Sequence, residues 1–155
     1  MLLCVSPALS NTRGNRVDLV RVVKSEHRLY LMSNGRIVDT FHVALGRHPV
    51  GTKQQEGDGR TPEGRYVLDY RNAGSAFHKS FHVSYPNSND LAAAERRGVK
   101  PGGMIMLHGQ KNGLGWLGAI SQRLDWTDGC IALSNDDMDK LWQRIEVPTP
   151  IQIDP

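Results

Sequence analysis

Apolar and polar residues alternate, with interruptions, along much of the first third of the chain. The segments VDLVRVV (17–23), HRLYLMS (27–33) and RIVDTFHVALG (36–46) combine this period of two with many β-branched and aromatic residues, which is typical of strands with one buried face. Asn34-Gly35 separates the second segment from the third. Because both residues tolerate positive φ, Asn-Gly between strands favours a tight hairpin. The chain is therefore predicted to begin with antiparallel β structure.

A long polar segment and further short strands follow. Residues 46–64 (GRHPVGTKQQEGDGRTPEG) contain glycines, prolines and charges, and they are predicted to form a long loop. Long loops in compact domains are usually functional or mobile. Short apolar segments then predict three more strands, RYVLDY, FHVSY and MIMLHG. The predicted fold class is mainly β.

Two segments carry helix signals. NSNDLAAAERRG (87–98) has polar cap candidates, an alanine-rich middle and Gly98 at the place of a C-terminal cap. A later helix is predicted to begin near Ser134. Its apolar positions, spaced three and four apart, are Met138, Leu141, Trp142 and Ile145. We therefore expect two or three short helices packed on a mainly β core.

Composition sets the class of protein. A chain of 155 residues is long enough for one domain with a sizeable core. No apolar run reaches the roughly 18 residues that a transmembrane helix needs, so no transmembrane segment is expected. The 19 basic residues only slightly outnumber the 16 acidic ones and are scattered. Since no basic stripe is interleaved with aromatic residues, nucleic-acid binding is not expected.

The beginning of the chain differs from the rest. We expect residues 1–16 to form a flexible N-terminal segment and residues 17–155 to form a single domain. MLLCVSPALS has small and apolar residues but no positive n-region and no full h-region, so it is at most the remnant of an export signal. Cys4 in this segment and Cys130 are the two cysteines of the sequence. A disulfide framework is not expected from them.

Two motifs point to cofactors and are rejected on their context. GLGWLG (113–118) fits G-x-G-x-x-G, but no strand leads directly into it and no βαβ unit surrounds it, so a flexible glycine loop is expected instead of a nucleotide site. His78 and His82 are four apart in a segment that favours extended structure, which separates them by about 13 Å. We expect them to be surface or cleft histidines, and no metal site is predicted.

Cys130 and His108 form the candidate catalytic pair. A lone cysteine is more often structural than reactive, and a histidine that ends a buried strand can be structural too. Here, however, Gly129 precedes the thiol and can adopt a conformation that lets a substrate carbonyl approach. His108 ends the predicted strand MIMLH and is followed by Gly109, a rigid position suited to a general base.

These motifs resemble a known family. MLHG, followed about twenty positions later by TDGCIAL, resembles the signature of the L,D-transpeptidase catalytic domain, or YkuD-type fold. GDGRTPEGRYVL resembles the family's Thr-Pro-x-Gly-x-Tyr segment, and HRLYLMSNGRIVDTFHVALG its opening hairpin. The resemblance extends from about Val17 to Ile153. It implies a β-sandwich of mixed sheets with the active site in a cleft, and residues 17–155 as the catalytic domain.

The resemblance also implies roles for individual residues. Cys130 would be the nucleophile, His108 the general acid and base, and the Gly109 carbonyl the group that orients the imidazole. The N–H groups of Gly129 and Cys130 would form part of the oxyanion hole. Thr127 would support this turn.

Three further positions concern the cleft around the thiol. Tyr85, in SYPN, is a candidate for the wall of the cleft, and Asp128 adjoins the thiol on the substrate side. Many family members carry histidine where this chain has Asp128, and arginine or asparagine where it has Ala132. A carboxylate beside the sulfur would oppose thiolate formation unless it points away or pairs with a cation.

The implied activity is acyl transfer on peptidoglycan. The thiolate would attack the carbonyl of the third residue of a tetrapeptide stem, usually diaminopimelate, and expel the terminal D-alanine. An amine on another stem or on a lipoprotein would then take the acyl group. No cofactor is implied, and the periplasm or cell envelope is the expected location because the substrate lies there.

Two alternatives remain open from the sequence. A hydrolase of the same site, an L,D-carboxypeptidase or amidase, would pass the acyl group to water. A cell-wall binding module that has lost activity would keep the fold, and Asp128 and Ala132 are the residues that favour it. A papain-like peptidase is less consistent, since its motif around the cysteine is missing and the histidine here precedes the cysteine.

Overall fold

Eight strands form one mixed sheet in residues 16–155, the part of the chain that the computed structural model describes. The strands are β1 (Leu19–Val23), β2 (Arg28–Ser33), β3 (Arg36–His42), β4 (Gly64–Asn72), β5 (Ser80–Val83), β6 (Met106–His108), β7 (Ile131–Ala132) and β8 (Thr149–Asp154). Their order in the sheet is β3-β2-β1-β8-β4-β5-β6-β7. The pairs β1–β8 and β6–β7 are parallel, and the other neighbours are antiparallel.

The sheet curls until its two edges meet. Beyond the edge strand β3, Ala44 exchanges two backbone hydrogen bonds with Ala132 of the opposite edge strand β7, each 2.9 Å long. The expected mainly β fold with mixed strand directions is confirmed, and its strands belong to this one curled sheet. The curl brings the segment after β3 against the turn that precedes β7.

The predicted opening hairpin is confirmed. Asn34 and Gly35 connect β2 to β3 with φ of 51° and 76°, so both turn residues lie in the left-handed region that an Asn-Gly turn supplies. Polar and apolar alternation along β2 is reflected in its burial, with Leu29 and Leu31 fully buried. These strands build one wall of the core.

Three short helices complete the described fold: α1 (Ser88–Arg97), α2 (Gly118–Ser121) and α3 (Asn135–Arg144). Asn87 caps α1 by accepting the N–H groups of Asn89 and Asp90, and Gly98 ends it with φ of 65°. Ser134 caps α3. Both predicted helices are therefore confirmed.

The apolar stripe of α3 packs on the sheet as predicted. Met138, Leu141 and Ile145 are at most 1% exposed, and Trp142 packs against the same core. The segment 113–118 differs from the expected flexible loop: a 3₁₀ turn at Gly115–Leu117 leads directly into α2. None of the helices in residues 16–155 is long and apolar enough to cross a membrane.

Residues 46–63 run without a regular strand or helix, as the glycines and prolines predicted, and they pack against the Cys130 turn, whereas the predicted strand 36–46 ends earlier, at His42. Gly46 N donates to Thr61 Oγ1 at 3.0 Å, and Arg47 N donates to Thr127 O at 3.0 Å. The loop is thus tied to the residues that precede the thiol. The expected N-terminal segment, with Cys4, lies outside the described residues except for Arg16.

Candidate active site

Cys130 lies at the junction between a tight turn and β7. In the parallel β6–β7 pair Leu107 faces Ile131, so the thiol lies beside Met106. Met106 N–H donates to the sulfur at 3.4 Å, and the thiol lies 3.6 Å from the carbonyl oxygen of Met104, its acceptor. The backbone of Met106 in β6 and of Met104 just before it therefore contacts the sulfur through both a donor and an acceptor.

The turn before Cys130 is held by the Thr127 side chain. Thr127 Oγ1 accepts the N–H of Gly129 at 3.1 Å and donates to the carbonyl oxygen of Cys130 at 2.7 Å. The Thr127 hydroxyl therefore bridges two backbone groups of the turn, and its supporting role for the nucleophile stays a prediction. The expectation that Gly129 N–H serves the oxyanion hole is corrected, because that group is already bound to Thr127.

Gly129 is required at its position by conformation and by space. Its φ of 129° is one that residues with a side chain rarely adopt. A Cβ atom there would lie 2.6 Å from the carbonyl oxygen of Arg60, which belongs to the long loop. The turn can approach that loop only because residue 129 has no side chain.

His108 ends β6 and is almost fully buried, with 5% of its surface exposed. Its Nδ1 lies 2.6 Å from the carbonyl oxygen of Gly109. A neutral ring that donates from Nδ1 keeps its lone pair on Nε2, so Nε2 is the basic atom. The ring packs against Phe77 and Trp126, with centroids 4.7 and 5.8 Å away. The Gly109 carbonyl is therefore within hydrogen-bond distance of the imidazole, and its orienting role stays a prediction.

Burial keeps both members of the pair neutral. Desolvation lowers the pKa of His108, and the Gly109 carbonyl offsets part of this effect. Desolvation raises the pKa of Cys130, and the Asp128 carboxylate adds to that, while Met106 N–H and Lys53 act in the opposite direction. At neutral pH the resting site therefore holds a thiol and an imidazole, not a thiolate and an imidazolium.

Cys130 and His108 line the same cavity, which has a volume of about 380 Å³. Thr127 and Asp128 also line it. The remaining lining residues are Asn72, Ser75, Ala76, Phe77, Ser80, Met104, Met106 and Trp126. The apolar side chains of this set reduce access of water to the pair, and the hydroxyl and amide groups offer hydrogen bonds to a polar ligand.

Tyr85 does not take part in the cavity. Its side chain is 3% exposed, its ring packs edge-on against Tyr66, and its hydroxyl donates to Pro101 O at 2.8 Å. Burial raises its pKa to about 12. The expectation that Tyr85 forms the wall of the cleft is therefore corrected: it is a core residue with a satisfied hydroxyl.

Asp128 has a cationic partner. Arg47 Nη1 forms an ion pair with Asp128 Oδ1, and both side chains are largely exposed, at 48% and 79%. Arg47 is fixed at its backbone by its bond to Thr127 O. The carboxylate that stood beside the thiol in the sequence is thus paired with a guanidinium from the long loop. No local sequence signal indicates this pair, since its members are 81 positions apart.

Ser80 and Trp126 were not singled out from the sequence. Ser80 faces His108 directly in the antiparallel β5–β6 pair and is 2% exposed. Within residues 16–155, neither Ser80 Oγ nor Trp126 Nε1 has a hydrogen-bond partner, although both atoms are buried. Buried polar groups of this kind carry a cost of about 1–3 kcal/mol each. Both residues belong to the wall of the cavity that contains Cys130.

The two histidines of FHKSFH each contact a different carboxylate. His78 Nε2 lies 2.8 Å from Asp139 Oδ1, and His82 Nδ1 lies 2.7 Å from Asp69 Oδ1. Over the described part of the chain, no group of three or more histidine, cysteine, aspartate or glutamate side chains is arranged to hold a metal ion.

The chain belongs to the YkuD family, the L,D-transpeptidase catalytic domain, whose model matches residues 18–153. A curated relative, "Putative L,D-transpeptidase YafK" of Escherichia coli K12, is 23% identical over 132 residues. The match covers 81% of this chain and 46% of the relative, so the chain spans about half the length of that protein.

Solved structures share the fold. The helical cell shape determining protein Pgp2 of Campylobacter jejuni matches with a TM-score of 0.67 and 27% identity, over 88% of this chain and 47% of that one. Bd1075 of Bdellovibrio bacteriovorus matches with a TM-score of 0.59 and 24% identity, over 93% and 50%. An L,D-transpeptidase of Xylanimonas cellulosilytica matches with a TM-score of 0.57 and 16% identity, over 91% and 62%. The last two matches establish the fold alone.

Proposed function

We propose that this domain is a cysteine-dependent L,D-transpeptidase that acts on peptidoglycan stem peptides. The observation that carries the proposal is that Cys130 and His108 line one cavity in a domain of the L,D-transpeptidase family. The enzyme releases the terminal D-alanine of a tetrapeptide donor and passes the acyl group to an amine on another stem or on a lipoprotein. Since peptidoglycan lies outside the cytoplasm, the proposed location is the periplasm or cell envelope.

Acylation begins from the neutral pair. As the Cys130 sulfur attacks the carbonyl carbon of the third stem residue, its proton passes to His108 Nε2. The Gly109 carbonyl at Nδ1 stabilises the imidazolium that forms. The imidazolium then gives its proton to the nitrogen of the leaving D-alanine, the amide bond breaks, and a thioester remains on Cys130.

Developing negative charge is met by backbone donors. Met106 N–H already points at the sulfur and stabilises its charge as the proton leaves. Gly129 N–H is bound to Thr127, so the Cys130 N–H is the donor of that turn that we assign to the carbonyl oxygen of the substrate. Thr127 acts through the turn and is a positioning residue.

Deacylation reverses the proton movements. The acceptor amine gives a proton to His108 and attacks the thioester carbon, and the sulfur leaves and takes the proton back as a thiol. No cofactor takes part, because the energy of the donor's amide bond is retained in the thioester. Water in place of the amine gives hydrolysis at the same site.

The test is incubation with tetrapeptide muropeptides, followed by mass spectrometry. Wild type is expected to form a covalent acyl-enzyme and cross-linked stems, and Cys130→Ala is expected to form neither. His108→Ala should lower the rate by about 10²-fold or more, since general base catalysis contributes that much. Unchanged turnover in Cys130→Ala, or intact donor with wild type, would contradict the proposal. Tripeptide stems and free D-alanine, whose combined mass exceeds that of the donor by one water, with no dimers, identify the hydrolase.

A non-catalytic wall-binding module is the second candidate, and Asp128 and Ala132, which stand where many family members carry other polar residues, are the observation that favours it. Slow reaction of Cys130 with an alkylating reagent is expected for either function, because both start from a thiol. Detection of the acyl-enzyme by intact mass separates them. Binding of muropeptides without acylation would support the module.

A further inference from the structure

A second cavity, which we call the Arg47 cavity, adjoins the one that contains Cys130. Its volume is about 310 Å³, and its lining residues are Arg47, Lys53, Glu56, Gly57, Gly102, Gly103 and Asp128. Asp128 lines both cavities, and the chain neighbours Gly103 and Met104 line one each. Met104 O is also the acceptor of the Cys130 thiol. The two cavities therefore meet at Asp128, which lies two residues before the nucleophile.

The Arg47 cavity carries charges of both signs. Arg47 and Asp128 form an exposed ion pair, and the exposed Glu56 adds another carboxylate. Lys53 is different, because its side chain is 2% exposed and its ammonium is bound to Asp58 and to the Gln55 carbonyl. These contacts of Lys53 hold the loop in place, and its positive charge adds to the electrostatic potential of the cavity. Arg47 and Asp128 are the groups that can exchange their contact for a ligand.

The direction of the reaction determines which part of the donor each of the two cavities holds. The leaving nitrogen must reach His108 to receive its proton, so the leaving residue occupies the cavity that His108 lines. The acyl residue remains attached to Cys130, and the Arg47 cavity is the neighbouring space available to its side chain. Glycines at three lining positions keep that space open.

We propose that the Arg47 cavity binds a side chain of the acyl donor that ends in both an ammonium and a carboxylate, as that of diaminopimelate does. The inference rests on the proposed function and names the determinant of its donor specificity. Arg47 binds the carboxylate through two parallel N–H groups, and Asp128 binds the ammonium. Parting the exposed Arg47–Asp128 pair costs little, because ion pairs between exposed side chains contribute little to stability. Each charge keeps an opposite partner in the complex.

A lysine donor has the ammonium but lacks the carboxylate. It would leave Arg47 without an anionic ligand and return it to Asp128, which would then be shared between two cations. Amidation of the diaminopimelate carboxylate would have the same consequence for Arg47. The cavity therefore distinguishes donors by one carboxylate.

The experiment compares three tetrapeptide donors with diaminopimelate, amidated diaminopimelate or lysine at the third position. Release of D-alanine is measured as kcat/KM, because this step precedes the choice between amine and water. Wild type is expected to favour the carboxylate donor at least tenfold over the other two. Arg47→Gln should bring the ratio close to one. Any general effect of this variant on the thiol acts on all donors and cancels in the ratio.

Arg21→Gln is the matched control. Arg21, whose side chain is about as exposed as that of Arg47, pairs with Asp154 between β1 and β8, outside both cavities, and its loss should leave the donor ratio at the wild-type value. A parallel titration of Cys130→Ala protein with the diaminopimelate and lysine tripeptides gives the same comparison as a ratio of Kd values, without turnover.

The outcomes separate the two proposals. Absence of D-alanine release from every donor overturns the proposed function, and equal Kd values in the titration then overturn the inference as well. Release with equal kcat/KM for all donors overturns the inference alone. So does a donor preference that survives Arg47→Gln. A preference that Arg47→Gln removes and Arg21→Gln keeps supports the inference.

Discussion

The hydroxyl of Thr127 donates to the carbonyl oxygen of Cys130 at 2.7 Å and at the same time accepts the N–H of Gly129 at 3.1 Å. Two backbone groups of the nucleophile's turn are therefore satisfied by one side chain. Thr127 is itself 4% exposed, so water cannot easily replace its hydroxyl.

Replacing Thr127 by valine keeps the shape of the side chain and removes the hydroxyl. We expect Thr127→Val to lower the free energy of unfolding by about 1–3 kcal/mol, because two buried backbone groups lose their partner. The rate of D-alanine release should fall as well, since the turn no longer fixes Cys130. Urea denaturation and the release assay measure the two effects. Thr127→Ser retains the hydroxyl and should stay near wild type; an equal loss in both variants would assign the effect to packing.

Gly129→Ala tests the close approach between the turn and the long loop. The added Cβ would meet Arg60 O at 2.6 Å in a backbone conformation with φ of 129°. We expect a loss of about 2 kcal/mol or more in the free energy of unfolding, since strained backbone alone costs about 1–3 kcal/mol. Gly74→Ala is the control, because its Cβ would make only an ordinary contact of 3.6 Å with Asn72 Oδ1. Similar denaturation midpoints for the two variants would contradict the crowding at Gly129.

Local signals in the sequence were sufficient for the elements that depend on neighbours in the chain. Asn34-Gly35 predicts its hairpin because the turn type needs positive φ at two consecutive residues, and both have it. Gly98 predicts the end of α1 for the same physical reason. The position of β8 has no such signal: Thr149–Asp154 lies between β1 and β4, and strand partners far along the chain are not encoded in periodicity.

The same distinction between local signals and distant contacts applies to the candidate site. Cys130 and His108 each have a glycine beside them, and the family motifs are enough to predict that the two residues lie together. Arg47 could not be assigned, because its contact with Asp128 depends on the curl of the sheet that brings the loop to the turn. Tyr85 was assigned to the wrong environment. Successive residues of an extended segment face opposite sides, and only the packing decides which side is the cavity.

Both titrating groups of the site should give a characteristic pH dependence. Burial lowers the pKa of His108, so its neutral, basic form should persist below about 6.5, the ordinary value, and the acid limb of kcat/KM should lie there. Burial raises the pKa of Cys130 above its ordinary value of about 8.5. In a Cys4→Ser background, the alkylation rate should therefore keep rising beyond pH 8.5. A plateau of alkylation at neutral pH would show a resting thiolate–imidazolium pair and contradict the neutral pair.

Burial of His108 also makes the free energy of unfolding depend on pH. The unfolded chain takes up a proton at His108 near pH 6.5, and the folded protein does so only at lower pH. The contribution of neutral His108 is therefore complete above about pH 6.5 and is lost as the pH falls below it. His108→Gln should flatten the fall in denaturation midpoint between pH 7 and pH 5. An unchanged slope would place that proton uptake elsewhere.

Ser80→Ala should separate stability from activity. Ser80 Oγ is buried without a partner in residues 16–155 and faces His108 across β5 and β6, so removing it should raise the free energy of unfolding by about 1–3 kcal/mol. A hydroxyl retained at that cost in the cavity wall is expected to bind the donor, and kcat/KM for D-alanine release should fall about tenfold, the equivalent of about 1.4 kcal/mol. Ser84→Ala is the control of opposite sign, because Ser84 Oγ accepts Val67 N–H at 2.8 Å and its loss should destabilise the fold. If both variants have denaturation midpoints below that of wild type, the Ser80 hydroxyl has a partner in the free protein. The expectation that it binds the donor is then wrong.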